Sequence, residues 1–215
     1  MRSMKTIFAI AAMSTAAAAQ AAFIPSGIQT KVSTAQVANW GWTTCYEDAG
    51  SSNASIDSVK SACSGKYVMM ASKTDADTFG ILAAALREDV FFDTGNYNNV
   101  THTANGAEWY FSTSWSMGFT ALGNTVVRNS CDTNLAGWNG GSSTVGACWH
   151  TYNNTMSGGW GFNNGDGWQY ITNRTLLMSN GPDGAVPEPG SFLLLGLGVL
   201  GLGAARRLRV SSKRI

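Results

Sequence analysis

The sequence predicts a mainly β, disulfide-bonded, sandwich-like single domain with one short helix, set between an N-terminal signal peptide and a C-terminal transmembrane helix. Three observations predict it. Short segments rich in aromatic and β-branched residues alternate with Gly- and Asn-rich turns. All four cysteines lie in the middle of the chain. Both ends carry an apolar run beside basic residues, a pattern of targeting segments and not of a packed core.

The N-terminal end has the three parts of an export signal. Arg2 and Lys5 supply positive charge, Thr6 to Ala18 is apolar and Ala-rich, and Ala19-Gln20-Ala21 fits a small-x-small cleavage site. Residues 1–21 therefore read as a signal peptide, with cleavage after Ala21. Residues 22–185 then form one domain by length, long enough to bury a core. They carry seven basic and twelve acidic side chains. This mildly acidic balance gives no support for nucleic-acid binding.

Candidate strands are Val37–Trp42, Tyr67–Ser72, Phe79–Ala85, Val90–Phe92, Ala107–Phe111, Trp115–Thr120, Thr125–Arg128, Ala147–Tyr152 and Gly159–Phe162. Trp168–Thr172 or Thr175–Met178 closes the set. Asn105-Gly106 between two of them is a hairpin signal. Leu82 to Arg87 has helix propensity but sits in an apolar run and reads as strand. The one predicted helix is Ile56–Ala62, with Ser55 as N-cap and Gly65 just past its end.

An even cysteine count in an exported segment reads as two disulfides. Three connectivities are open. Cys45–Cys63 and Cys131–Cys148 are favoured because each closes a local loop of similar size. A metal site from Cys148, His150 and His102 lacks the ligand spacing that zinc sites use, so no metal and no cofactor are expected. The loop Asn163-Asn164-Gly165-Asp166-Gly167 has calcium-like composition without the spaced acids of a calcium loop, and reads as a turn.

Catalytic signals are thin. The chain has two histidines and no G-x-S-x-G nucleophile turn. His150 reads as hydrogen-bonded within a sheet and His102 as a solvated loop residue. No catalytic residue is assigned, and the domain is read as a non-catalytic one. Its alternative is an extracellular glycan hydrolase, since the separation of two carboxyls is a three-dimensional property. The remaining lead is aromatic: Trp109, Tyr110, Trp115, Trp138, Trp149, Trp160, Trp168 and Tyr170 could offer sugar-stacking faces, although most aromatics in a small β-domain are core. One or two on an exposed face would be the signal.

At the C-terminal end, Val186-Pro187-Glu188-Pro189-Gly190-Ser191 precedes an apolar run, Phe192 to Ala205, that stops at Arg206, Arg207 and Arg209. Those fourteen residues make a helix of roughly 21 Å, against a bilayer core of about 30 Å. The run is thus a marginal anchor, suited to temporary use. Its Gly196-Leu197-Gly198-Val199-Leu200-Gly201 is no nucleotide motif, because no βαβ unit and no downstream acid accompany it.

This order of rigid motif, short membrane segment and basic stop resembles the PEP-CTERM tail of proteins exported by Gram-negative bacteria that make exopolysaccharide. Such tails are sometimes labelled as ice-binding-protein C-termini, a label that carries no activity to the domain. The resemblance implies an exosortase as processing partner, with Val186, Pro187, Glu188 and Pro189 as its recognition motif. It also implies a transient stay in the inner membrane, stop-transfer by Arg206, Arg207 and Arg209, and a final place at the cell surface or in an extracellular matrix. Exopolysaccharide is the further expected partner.

Overall fold

The computed structural model describes residues 22–49, 53–73, 75–124, 126, 145–157 and 161–181. They all fall within one compact unit, Ala21–Gly184. The fold is mainly β. The predicted signal peptide, the strand Thr125–Arg128 apart from Val126, Cys131, Trp138, Trp160 and the tail from Val186 lie outside the described residues.

A smaller sheet contains β1 (Gln29–Ser33), β2 (Thr43–Ala49), β4 (Tyr67–Lys73), β5 (Thr78–Leu86) and β13 (Asn173–Ser179). Its strands are antiparallel, in the order β1-β5-β4-β13-β2. A larger antiparallel sheet contains β6 (His102–Ala104), β7 (Ala107–Phe111), β8 (Ser116–Ala121), β9 (Gly146–Tyr152), β11 (Gly161–Asn163) and β12 (Trp168–Tyr170). Its order is β12-β11-β9-β8-β7-β6. Two short strands, β3 (Asn53–Ser55) and β10 (Thr155–Ser157), pair with each other, and β10 also pairs with β9.

Strand alternation decides what each face buries. Val68 and Met70 of β4, Ile81, Ala83 and Ala85 of β5, and Leu176 of β13 point into one core. The larger sheet fills it from the other side with Trp109, Phe111, Met117, Phe119, Trp149 and Phe162. Trp149 crosses the gap, donating its indole N–H to Ser72 Oγ at 3.3 Å. The opposite face of the smaller sheet, with Met69, Ala71, Leu82, Ala84 and Leu177, packs a second cluster against Val37 and Trp42.

Val37 belongs to a helix. The predicted strand Val37–Trp42 is α1 (Thr34–Asn39), started by Ser33, whose hydroxyl accepts from the Gln36 amide at 3.1 Å. The Ser-Thr cap signal outweighs the β preference of the aromatics that follow. The predicted strand Val90–Phe92 is likewise corrected: Val90 ends α3 (Arg87–Val90), and Phe91 is its C-cap. The described residues therefore hold three short helices where one was expected. The expected one, α2 (Ile56–Ala62), has the predicted bounds, with Ser55 at the N-cap position but without a side-chain cap bond. The run Ala83-Ala84-Ala85 is strand, since β4 pairs with it along one side and the Asn105 side chain bonds Ala84 O, and these tertiary contacts override helix propensity.

The N-terminal segment ahead of β1 is docked at both ends. The Phe23 amide donates to Trp40 O, and the Trp42 indole N–H to Phe23 O, each at 2.9 Å. Farther along, Asn105 in the β6–β7 turn donates its side-chain amide to Pro25 O at 2.8 Å and to Ala84 O at 2.7 Å. The turn is the predicted Asn-Gly hairpin, with φ of 43° at Asn105 and 81° at Gly106. A disulfide joins Cys45 of β2 to Cys63 at the end of α2, with Cα atoms 5.1 Å apart. Cys148 is also disulfide-bonded.

Candidate functional site

The alternation of β9 sets up the site. Ala147 and Trp149 face the core, so Cys148, His150 and Tyr152 share the opposite face. His150 and Tyr152 stand about 7 Å apart on that face, two residues along one strand. Trp115 reaches the same place from the loop between β7 and β8. Together with Ser114, Thr151 and Ser157 they line a hollow of about 250 Å³. Trp115 is 44 % exposed and Tyr152 63 % exposed, while His150 is half-buried.

The walls are fastened from below. The Thr151 amide donates to Trp115 O at 3.1 Å, and the Thr151 hydroxyl to Ser112 O at 2.6 Å. Ser112 Oγ bonds Asn96 Oδ1 and accepts from the Ser114 amide at 3.1 Å. The turn after Tyr152 uses Asn153 and Asn154 at φ of 47° and 60°, the left-handed region that Asn tolerates. Asn154 donates its amide to Thr113 O at 2.9 Å and its side chain to Asp57 Oδ2 at 2.6 Å. The aromatic rings thus project from a braced frame.

The other expected aromatics divide. Trp109, Tyr110 and Trp149 are buried and structural, while Tyr170 is exposed on β12. Tyr152 was not among the residues that the sequence singled out. Its signal was available: once Trp149 is core, the third residue beyond it must face away. His102 corrects its expected place in a solvated loop. It lies in β6, 2.7 Å from Asp89 Oδ1, with its ring stacked on Phe92 at 4.5 Å.

The site residues of the tail are reached by comparison. Residues 185–207 match the family model of the PEP-CTERM protein-sorting motif. The tail is a PEP-CTERM sorting signal. The match spans Val186, Pro187, Glu188, Pro189, Arg206 and Arg207, and ends before Arg209. No curated protein and no solved structure matches the chain. The PEP-CTERM motif supports an exported protein sorted by an exosortase.

Ahead of this tail, several acids of the exported domain are committed to structure. Arg174, fully buried, holds both oxygens of Asp48 at 2.9 Å, and Tyr46 donates its hydroxyl to the same carboxylate. Burial and the neighbouring Asp48 push the Tyr46 hydroxyl up, so it stays protonated. Burial alone would raise the Glu47 carboxyl, but bonds from Lys73, Asn173 and Thr175 hold it below its ordinary value. Glu108 behaves alike: burial opposes its charge, and the Gly123 amide, the Thr103 and Thr101 hydroxyls and His102 outweigh that opposition. The loop 163–167 is a pair of side-chain-capped turns. Asn163 Oδ1 accepts from the Gly165 and Gly167 amides at 2.8 and 3.2 Å, and Asp166 pairs with Lys31 at 2.6 Å. Among the described residues no cluster of His, Cys, Asp and Glu could hold a metal ion, and no helix is long and apolar enough to cross a membrane.

Proposed function

We infer that the exported domain is a non-catalytic, carbohydrate-interacting protein of the cell surface or extracellular matrix. One observation carries this reading: two exposed aromatic side chains, Trp115 and Tyr152, line a single braced hollow with hydroxyls and an imidazole. Aromatic faces stack on the apolar faces of sugars, and the hydroxyls and imidazole supply directional hydrogen bonds. None of the six described lining residues is acidic, whereas glycoside hydrolysis uses two carboxyls flanking the scissile bond. This contrast favours binding over the alternative, an extracellular glycan hydrolase. The tail supplies the route. The Pro-Glu-Pro element is recognised by the exosortase, the apolar run holds the chain briefly in the inner membrane, and removal of the tail releases the domain.

The test is affinity electrophoresis of the exported protein in gels containing the exopolysaccharide of its producing cells. The polymer should retard the protein, and Trp115→Ala with Tyr152→Ala should abolish the retardation. Polymer recovered after incubation should carry no new reducing ends. New reducing ends would establish the hydrolase instead.

A further inference from the structure

A third exposed aromatic shares the frame that braces the hollow. Thr94 docks on the last residue of β7: its amide donates to Phe111 O at 2.9 Å, and its hydroxyl accepts from the Phe111 amide at 3.2 Å. The segment that follows therefore runs beside β7, outside the end of the larger sheet. Asn96 joins it to Ser112, the residue that also fastens Thr151 beneath the hollow. Tyr97 comes next. It is 73 % exposed, more than any other large hydrophobic residue described.

We propose that the carbohydrate surface continues from Tyr152 and Trp115 across this end of the sheet to Tyr97, and that it takes an internal stretch of a polysaccharide chain. The inference rests on the carbohydrate reading of the hollow.

The register gives the span. From the Thr94 segment the order across the sheet end is β7, β8, β9, the last carrying Tyr152. Three strand spacings make roughly 14 Å, longer than one sugar ring. Trp115 lies between the two tyrosines, in the β7–β8 loop. The ground between the rings is polar, with Ser112 Oγ bonded to Asn96 Oδ1 and accepting from the Ser114 amide. Aromatic platforms separated by hydroxyl and amide groups match a chain of rings joined by polar linkages.

Tyr97 is also held in place. Its ring edge lies over Gly95, where an added Cβ would come within 3.2 Å of Cδ2 and Cε2. Gly95 itself has φ of 69° and donates its amide to Asp93 Oδ1 at 2.8 Å. The Asn99 amide donates to Val126 O at 2.8 Å. A loop fastened this often loses little entropy when a ligand arrives.

The probe is the exopolysaccharide of the producing cells, intact and after partial acid hydrolysis to disaccharides, titrated against the exported protein. Intact polymer should bind more tightly than the disaccharides. Tyr97→Ala should weaken polymer binding roughly five- to tenfold, the size of one aromatic contact, and leave the disaccharides unaffected. Tyr97→Phe should bind the polymer as wild type does. An unchanged thermal midpoint for both variants separates loss of contact from loss of fold. Polymer binding by Tyr97→Ala equal to that of wild type overturns the extension, as does disaccharide binding as tight as that of the polymer. In either case loss of binding in Trp115→Ala keeps the hollow as a carbohydrate site. Polymer binding absent from wild type, or unchanged in Trp115→Ala, overturns the carbohydrate reading itself.

Discussion

A missing side chain at Gly118 makes room for the Tyr110 ring. Tyr110 and Gly118 are register partners on β7 and β8, and the ring crosses Gly118 so that its hydroxyl donates to Ala147 O on β9 at 3.2 Å. A Cβ at Gly118 would lie 2.6 Å from Tyr110 Cζ and closer still to the tyrosine hydroxyl and to Ala147 O. The ring could turn away, but the strand carbonyl could not. Gly118→Ala should therefore cost about 1–3 kcal/mol, the usual range for overpacking, read as a lowered denaturant midpoint with an unchanged slope. Glu108 offers a test in pH. Its folded carboxyl is held below its ordinary value. Its contribution to stability is thus complete above the unfolded value and fades as pH falls through the lower folded one. Glu108→Gln should flatten the fall in thermal midpoint on the acid side. Glu47, held low in the same way, leaves part of the slope in place.

The disulfide works at the level of elements. Strand β2 is an edge strand with mostly exposed residues, and it is tied to the sheet by β13 on one side only. Cys45–Cys63 fastens it to the end of α2 across a sequence separation of 18. Closing such a loop in the unfolded chain is worth about 3 kcal/mol. Replacing both cysteines by serine should lower unfolding free energy by about that amount, with earlier hydrogen exchange in β2 than in β4. This pairing was readable in the cysteine spacing, as were α2 from its cap and stop residues and the β6–β7 hairpin from Asn105-Gly106. The strands that went unseen share a cause. β1 reads Gln-Thr-Lys-Val-Ser, β2 reads Thr-Thr-Cys-Tyr-Glu-Asp-Ala, and β3, β6 and β10 have three residues each. Edge and short strands bury little, so they carry no apolar alternation to read. The hollow was legible by half: Trp115 was singled out, but its joining with Tyr152 depends on β8 and β9 being neighbours, which is a property of register.

Across the whole molecule, the sorting tail and the β domain ask for separate evidence. The proposed role of Pro187-Glu188-Pro189 is tested by changing all three to alanine. Export should continue, tail removal should stop, and a heavier form should collect in the inner membrane, resolved by mass spectrometry of fractionated cells. Processing of the variant at the wild-type rate would reduce the motif to a linker. The stability of the domain should be unchanged, because the motif lies beyond the compact unit Ala21–Gly184.

The place of β13 has a consequence in time. The strand is the last in sequence, yet it lies between β4 and β2 and pairs with both. It also carries Arg174, the buried partner of Asp48. A chain that crosses a membrane N-terminus first delivers this strand at the very end, and its contact between Thr175 and Glu47 spans 128 residues. Until then β2 has no neighbour in the smaller sheet, and that sheet cannot be completed as the chain emerges. The sorting motif begins at residue 185, a short step beyond β13. A tether there would retain the chain until the closing strand is across, so that the cut sets free a finished domain.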